Sequence, residues 1–157
     1  MAEDEIILGV ISDTHGLLRP QAVAALAGSD LIIHAGDVGK SEVIDRLGDV
    51  APTFVVRGNI DSGSWAAQLP PTQTVDVGAL RFFVLHDIAQ LALDPAAANF
   101  VAVVFGHSHR PLIETRDGVL FLNPGSAGPR RFTLPITVAR VRVTGRRMQP
   151  EIIELQV

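Results

Sequence analysis

Apolar runs recur along the chain, and nearly every one ends in a small polar cluster. Ile6 to Ile11 is aliphatic apart from Gly9, the pattern of a strand buried on both faces. It closes in Ser12-Asp13-Thr14-His15-Gly16. Pro20 to Ala27, with proline in the first turn and Gly28 just beyond, predicts a helix. Leu31 to His34 predicts a second strand that closes in Ala35-Gly36-Asp37. Ser41 is the expected N-cap of a short helix through Leu47, because Val43, Ile44 and Leu47 have helical spacing. Thr53 to Val56 predicts a third strand, followed by Arg57-Gly58-Asn59-Ile60-Asp61. Strands alternating with helices imply right-handed crossovers and a largely parallel sheet.

Beyond Pro70-Pro71 the pattern changes. Thr72 to Val77 and Leu80 to Leu85, joined at Gly78-Ala79, predict a hairpin closed by His86-Asp87. A helix is expected from about Ile88 to Ala98, then a strand from Val101 to Phe105 that runs into Gly106-His107-Ser108-His109. Leu112 to Thr115 and Val119 to Leu122 flank Asp117-Gly118, a strong hairpin signal. Asn123-Pro124-Gly125-Ser126 cannot continue that strand. The tail alternates from Thr137 to Val143 and predicts an antiparallel ribbon with Met148 to Leu155.

Composition narrows the class. At 157 residues, 47% hydrophobic and 19% charged, the chain suits one globular domain over residues 1–157. Without cysteine, thiolate metal sites and cysteine nucleophiles are excluded. The start is acidic rather than basic, and no apolar run approaches a bilayer-spanning length, so a cytoplasmic protein with no membrane partner is expected. A net charge of -4 gives no general reason to bind nucleic acid. The oligomeric state is left open, a homo-oligomer included.

The polar clusters carry the chemistry. Five apolar runs end in residues able to bind a metal: Asp13 with His15, Asp37, Asn59, His86, and His107 with His109. The carboxyl ends of parallel strands meet at one rim, where α/β sheets bind ligands, so residues far apart in sequence converge there. Imidazole, carboxylate and one amide oxygen suit Mn, Fe, Co, Ni or Zn better than Mg or Ca. Seven candidates exceed the need of one tetrahedral ion, and two divalent ions sharing a carboxylate, roughly 3.5–4 Å apart, would use them.

In order and context, Asp13-x-His15, Gly36-Asp37, Gly58-Asn59, His86 and Gly106-His107-x-His109 resemble the calcineurin-like metallophosphoesterases. Ser12-Asp13-Thr14-His15-Gly16, His34-Ala35-Gly36-Asp37 and Asn123-Pro124-Gly125-Ser126 are most similar to the small single-domain bacterial and archaeal phosphodiesterase branch. The resemblance implies an α/β fold, a four-layer α-β-β-α sandwich of two mixed sheets flanked by helices. It implies one metal on Asp13, His15 and His109, a second on Asn59, His86 and His107, and Asp37 as the bridge, with Mn foremost. The implied activity is hydrolysis of a small phosphodiester by a metal-held hydroxide, with Asp37, Asn59 and His107 catalytic and with Asn59 and His107 contacting the phosphoryl group.

Two positions depart from the pattern. Ile60 stands where larger members carry a histidine that helps protonate the leaving group, which points to substrates whose leaving group needs little protonation. Asp87 stands where the branch has glycine. It is either a substitute at a positive-φ turn or a rim charge that orients an imidazole. His34 is read as a core or supporting residue, and Asn59 and Asp61 also fit ordinary turn chemistry. Arg140 and Arg142 fit a solvated strand face, whereas Arg130 and Arg131 are candidates to hold a substrate phosphate. The rival readings are a phosphomonoesterase acting on nucleotides or small metabolites and, ranked lower, a non-catalytic scaffold such as the retromer subunit of similar fold.

Overall fold

The computed structural model describes residues 4–157. The first half runs β1 (Glu5–Ile11), α1 (Pro20–Leu26), β2 (Leu31–His34), α2 (Ser41–Gly48), β3 (Thr53–Val55) and a one-turn α3 (Ser64–Ala67). The second half runs β4 (Thr72–Val77), β5 (Leu80–Leu85), β6 (Ala102–Val104), β7 (Leu112–Arg116), β8 (Val119–Asn123), β9 (Thr137–Thr144) and β10 (Arg147–Glu154).

These strands form two mixed five-stranded sheets, ordered β10-β9-β1-β2-β3 and β4-β5-β6-β8-β7. In the first, β1, β2 and β3 are parallel, and β9 pairs antiparallel with β1. The second sheet has more parallel pairing than its hairpin pattern predicts. β5, β6 and β8 are parallel at its centre, and β4 and β7 fold back along its edges. Both sheets therefore point the carboxyl ends of parallel strands toward shared loops.

Alternation along β1 explains why it is apolar on both sides. Leu8 and Val10 face a core between the sheets with Phe82, Val84, Val104 and Leu122, all essentially inaccessible. Ile11 and Ile32 face outward against Ala22 and Leu26 of α1 and Val43 and Leu47 of α2. In each helix the buried pair is spaced i, i+4, the stripe a surface helix presents to its sheet. Ser41 is the first residue of α2 rather than its cap. Lys40 takes the cap position without a side-chain hydrogen bond, and the preceding Gly39 is tied by its N–H to Asp61 Oδ1 at 2.9 Å. The rim loop, not a cap, sets where this helix begins.

The helix expected over Ile88–Ala98 does not form. A 3₁₀ turn spans Ile88–Gln90, and Leu91 is already extended. Pro95 lacks an N–H and excludes a continuous helix through it. The chain then makes a single turn in which Asp94 O accepts from Ala98 N and Pro95 O from Phe100 N, closed by Asn99 at φ 65°. The outer layer over the second sheet is thus an irregular segment whose Ile88, Leu91, Leu93 and Ala98 pack on Phe83, Phe105 and Phe121.

Phe82, 0% exposed, fills the space between the sheets. Replacing it with alanine is expected to lower stability by about 3–5 kcal/mol, read as a shifted denaturant midpoint at unchanged slope.

Candidate metal centre

The predicted ligands sit in loops that follow β1, β2, β3, β5 and β6, the parallel strands of both sheets. Five of the seven have left-handed backbones: Asp13 (φ 56°), His15 (49°), Asp37 (57°), His107 (73°) and His109 (64°). Such angles are uncommon for residues with a Cβ and cluster at functional sites. Here they are held by hydrogen bonds between loops. Asp13 N donates to Gly36 O and His15 N to Asp37 O, both at 3.0 Å.

The carboxylates do much of this tying. Asp13 Oδ2 accepts from Ser12 Oγ at 2.7 Å and from His107 N at 3.2 Å, joining the two sheets. Asp37 Oδ1 accepts from Ile60 N at 3.1 Å. Asp61, which turn chemistry alone could account for, takes the N–H groups of Val38, Gly39 and Gly58 at 3.2, 2.9 and 2.9 Å. It locks the Asp37 loop to the Asn59 loop. Gly58 and Gly106 permit this closeness, because a Cβ at Gly58 would overlap Asp37 Oδ1 and one at Gly106 would overlap Ser12 Oγ. Asn123 secures the histidine loop, donating through Nδ2 to Gly106 O at 3.0 Å and to Ser108 Oγ at 3.1 Å.

With one oxygen of Asp13 and Asp37 committed to the scaffold, the other faces the imidazoles. Asp13 Oδ1 lies 3.4 Å from His109 Nε2 and 3.9 Å from both His15 Nε2 and His86 Nε2. Asp37 Oδ2 lies 3.2 Å from His86 Nε2 and 3.5 Å from His15 Nε2. Two groups of potential ligand atoms result, each within 4.8 Å of one another: Asp13, His15 and His109, and Asp13, Asp37 and His86.

Hydrogen bonding identifies which atoms await a partner. His86 Nδ1 lies 2.7 Å from the Ala35 carbonyl, which can only accept, so Nδ1 carries the proton and Nε2 presents a lone pair to Asp37. Among the described residues, seven buried side-chain polar atoms lack a hydrogen-bond partner, and four of them are Asp13 Oδ1, His15 Nε2, His86 Nε2 and His109 Nδ1. Carboxylate and imidazole atoms gathered out of water without partners suit a cation, so the residues present fit divalent metal.

The electrostatics agree. Burial would raise the Asp37 carboxyl, but the adjacent His86, the Ile60 N–H and the nearby imidazoles bring it down to about 2. Asp13 is likewise lowered: burial opposes, and His15, Ser12, His86 and His109 outweigh it. Burial pulls His86 down, yet Asp37, the Ala35 carbonyl and Asp13 raise it overall. His109 is lowered by burial, with the Arg131 charge adding to that effect against Asp13.

The remaining candidates lie at the mouth. His107 is 47% exposed, its Nε2 4.0 Å from Asp87 Oδ2 and its ring 5.2 Å from that of His86. Asn59 is exposed beside His86 in the wall of a cavity. Asp87 has φ −114°, so it does not replace a positive-φ glycine, and its Oδ1 caps the 3₁₀ turn by accepting from Ala89 N at 3.0 Å. Arg130 donates to Leu134 O at 3.2 Å.

A calcineurin-like phosphoesterase superfamily domain matches residues 6–146. The chain belongs to that superfamily. It is therefore a phosphoric ester hydrolase by family, with the two-sheet sandwich of that fold. A protein of Methanothermobacter thermautotrophicus named "Probable metallophosphoesterase" is 31% identical over 94% of this chain and 92% of its own length. Phosphodiesterase YfcE of Escherichia coli K12 is 30% identical over 73% of this chain and 76% of its own. The structure of Vacuolar Protein Sorting 29 from Cryptosporidium parvum superposes with TM-score 0.78 at 17% identity, covering 98% of this chain and 99% of that one, a likeness of fold alone. No helix among the described residues is long and apolar enough to cross a membrane.

His34 supports the superfamily centre from beneath. Its Nδ1 accepts from Gly36 N at 3.1 Å, so Nε2 carries the proton and donates to Thr14 Oγ1 at 3.0 Å. Thr14 in turn donates to Val38 O at 2.8 Å. Full burial, opposed by Asp13 and Asp61, lowers His34 from 6.5 to about 4. A histidine whose folded pKa is depressed contributes stability above its unfolded pKa that is lost as pH falls through the window from 6.5 to about 4. Metal-free protein is therefore expected to lose stability to denaturant between pH 7 and pH 5, and His34→Gln is expected to flatten that loss.

Proposed function

We propose that the chain is a dinuclear metal-dependent phosphodiesterase. One ion is assigned to Asp13, His15 and His109, and a second to Asn59, His86 and His107, with Asp37 shared. The observation that carries this reading is the position of Asp37 Oδ2, which lies 3.5 Å from His15 Nε2 and 3.2 Å from His86 Nε2 while Oδ1 is held by the backbone. A carboxylate so placed reaches an imidazole of each ligand group, with Asp13 standing in both groups beside it. The donor set of imidazole, carboxylate and amide suits Mn, Fe, Co, Ni or Zn, and the family resemblance puts Mn foremost. Bound divalent ions would lower the pKa of water and offset charge on the phosphoryl oxygens.

The chain's own residues then orient a small phosphoester. His107 and Asn59, at the mouth, are placed to hydrogen-bond the phosphoryl group. Ile60 is 46% exposed and offers no proton. A general acid at that position would contribute about 10²–10⁴-fold, so substrates with stable leaving anions are favoured, which suits activated diesters over alkyl monoesters. The scaffold reading is disfavoured because every imidazole and carboxylate of the pattern is present, and Asp13, His15, His86 and His109 each bury a polar atom without a partner.

Asp37→Asn is expected to keep the circular dichroism of the wild type while elemental analysis shows most bound metal gone and activity down at least a hundredfold. A metal-replete, fully active variant would overturn the assignment. With Mn²⁺ at saturation, bis(p-nitrophenyl) phosphate is expected to turn over faster than p-nitrophenyl phosphate, and the reverse order would favour the monoesterase.

A further inference from the structure

Beside the second group of ligands the rim opens into a cavity of about 270 Å³, whose walls include Arg57, Asn59, Thr72, His86, Asp87 and Gln90. It is contiguous with the assigned centre through Asn59 and His86, but hydrolysis at that centre sets no task for Arg57, Thr72 or Gln90. Ligand pockets run upward from roughly 300 Å³, so this one accepts a sugar-sized group rather than a whole dinucleotide.

Arg57 supplies the guanidinium among these walls. Its N–H is fixed on Pro70 O at 2.9 Å, and the residue is half-buried. Arg46, Arg81, Arg116 and Arg142 each have a carboxylate within 4.0 Å. The Arg57 guanidinium has none among the described residues, and no hydrogen-bond acceptor either. The guanidinium is therefore free to pair with a ligand in the cavity, and its fork of donors matches the paired oxygens of a phosphate. The Asp87 carboxylate, also in the lining, repels anions from its own wall, with Oδ1 already held by Ala89 N. Thr72 and Gln90 bring neutral polar groups suited to hydroxyls.

We propose that this cavity binds one ester substituent of a phosphodiester and that Arg57 pairs with a second phosphate carried by that substituent. The proposal rests on the phosphodiesterase reading for its place in catalysis, and on the cavity and the unpaired guanidinium for the binding itself. The substrate class it names is a hydroxylated, nucleotide-like diester with a remote phosphate.

Two probes isolate that phosphate: thymidine 5′-(p-nitrophenyl phosphate) with and without a 3′-phosphate, hydrolysed by the Mn²⁺-loaded protein. The wild type is expected to show a KM about tenfold lower for the 3′-phosphorylated probe, a ratio that shrinks as salt is added. Arg57→Gln should bring the ratio close to one and Arg57→Lys should keep part of it. Arg146→Gln, in the turn at the opposite end of β9, should leave it at the wild-type value. Calorimetric titration with thymidine 3′,5′-bisphosphate and thymidine 5′-phosphate reads the same subsite without turnover. Equal affinities in the wild type, or equal weakening of both ligands in Arg57→Gln, would overturn the proposal. An Arg57-dependent preference for the bisphosphate in a protein that hydrolyses none of the diesters would uphold the subsite and overturn the phosphodiesterase reading instead.

Discussion

The centre depends on carboxylates that divide their two oxygens between different tasks. Asp13 gives Oδ2 to Ser12 and to the backbone of His107, leaving Oδ1 for the imidazoles. Asp37 does the same with Ile60 on one side and His15 and His86 on the other. These hydrogen bonds hold each side chain in place, and those from Ser12 Oγ to Asp13 and from Ile60 N to Asp37 also help keep the carboxyl ionised against burial. Geometry and charge are therefore set by the same contacts. Asp61 extends the device without facing the imidazoles at all, spending its carboxylate on three N–H groups of neighbouring loops.

Much of this was legible in the sequence because it depends on local pattern. Aliphatic runs gave the strands, and polar clusters at their ends gave the rim. Even spacing within Gly106-His107-Ser108-His109 suggested convergence, although both histidines turned out left-handed rather than extended, so the loop and not strand parity aims them. The features that stayed hidden depend on distant partners. Nothing near Asp61 in sequence reveals that it clamps the loop before α2, and nothing near Ser41 reveals that the helix entry is set from there. Ile88–Ala98 has helix-forming composition, and a single proline decided otherwise. Asp87 could be read in two ways until its backbone angle excluded the glycine-substitute reading.

The same sandwich also occurs in Vacuolar Protein Sorting 29, so the sheets alone do not specify chemistry. In this chain the chemistry lies at the rim, where polar atoms of Asp13, His15, His86 and His109 are buried without partners. A core that merely needed to fold would pair or exclude such atoms. Their persistence here is a sign of occupancy by something the polypeptide does not supply.

The pairing of β1 with β9 imposes an order in time. β1 lies between β2 and β9, so one of its edges stays bare until Thr137–Thr144 have been made. Ser126 Oγ must also reach back 113 positions to Asp13 O, and Ala127 N to Ser12 O. A nascent chain thus carries the first half of the centre beside an open strand edge until Thr137–Thr144 have been made.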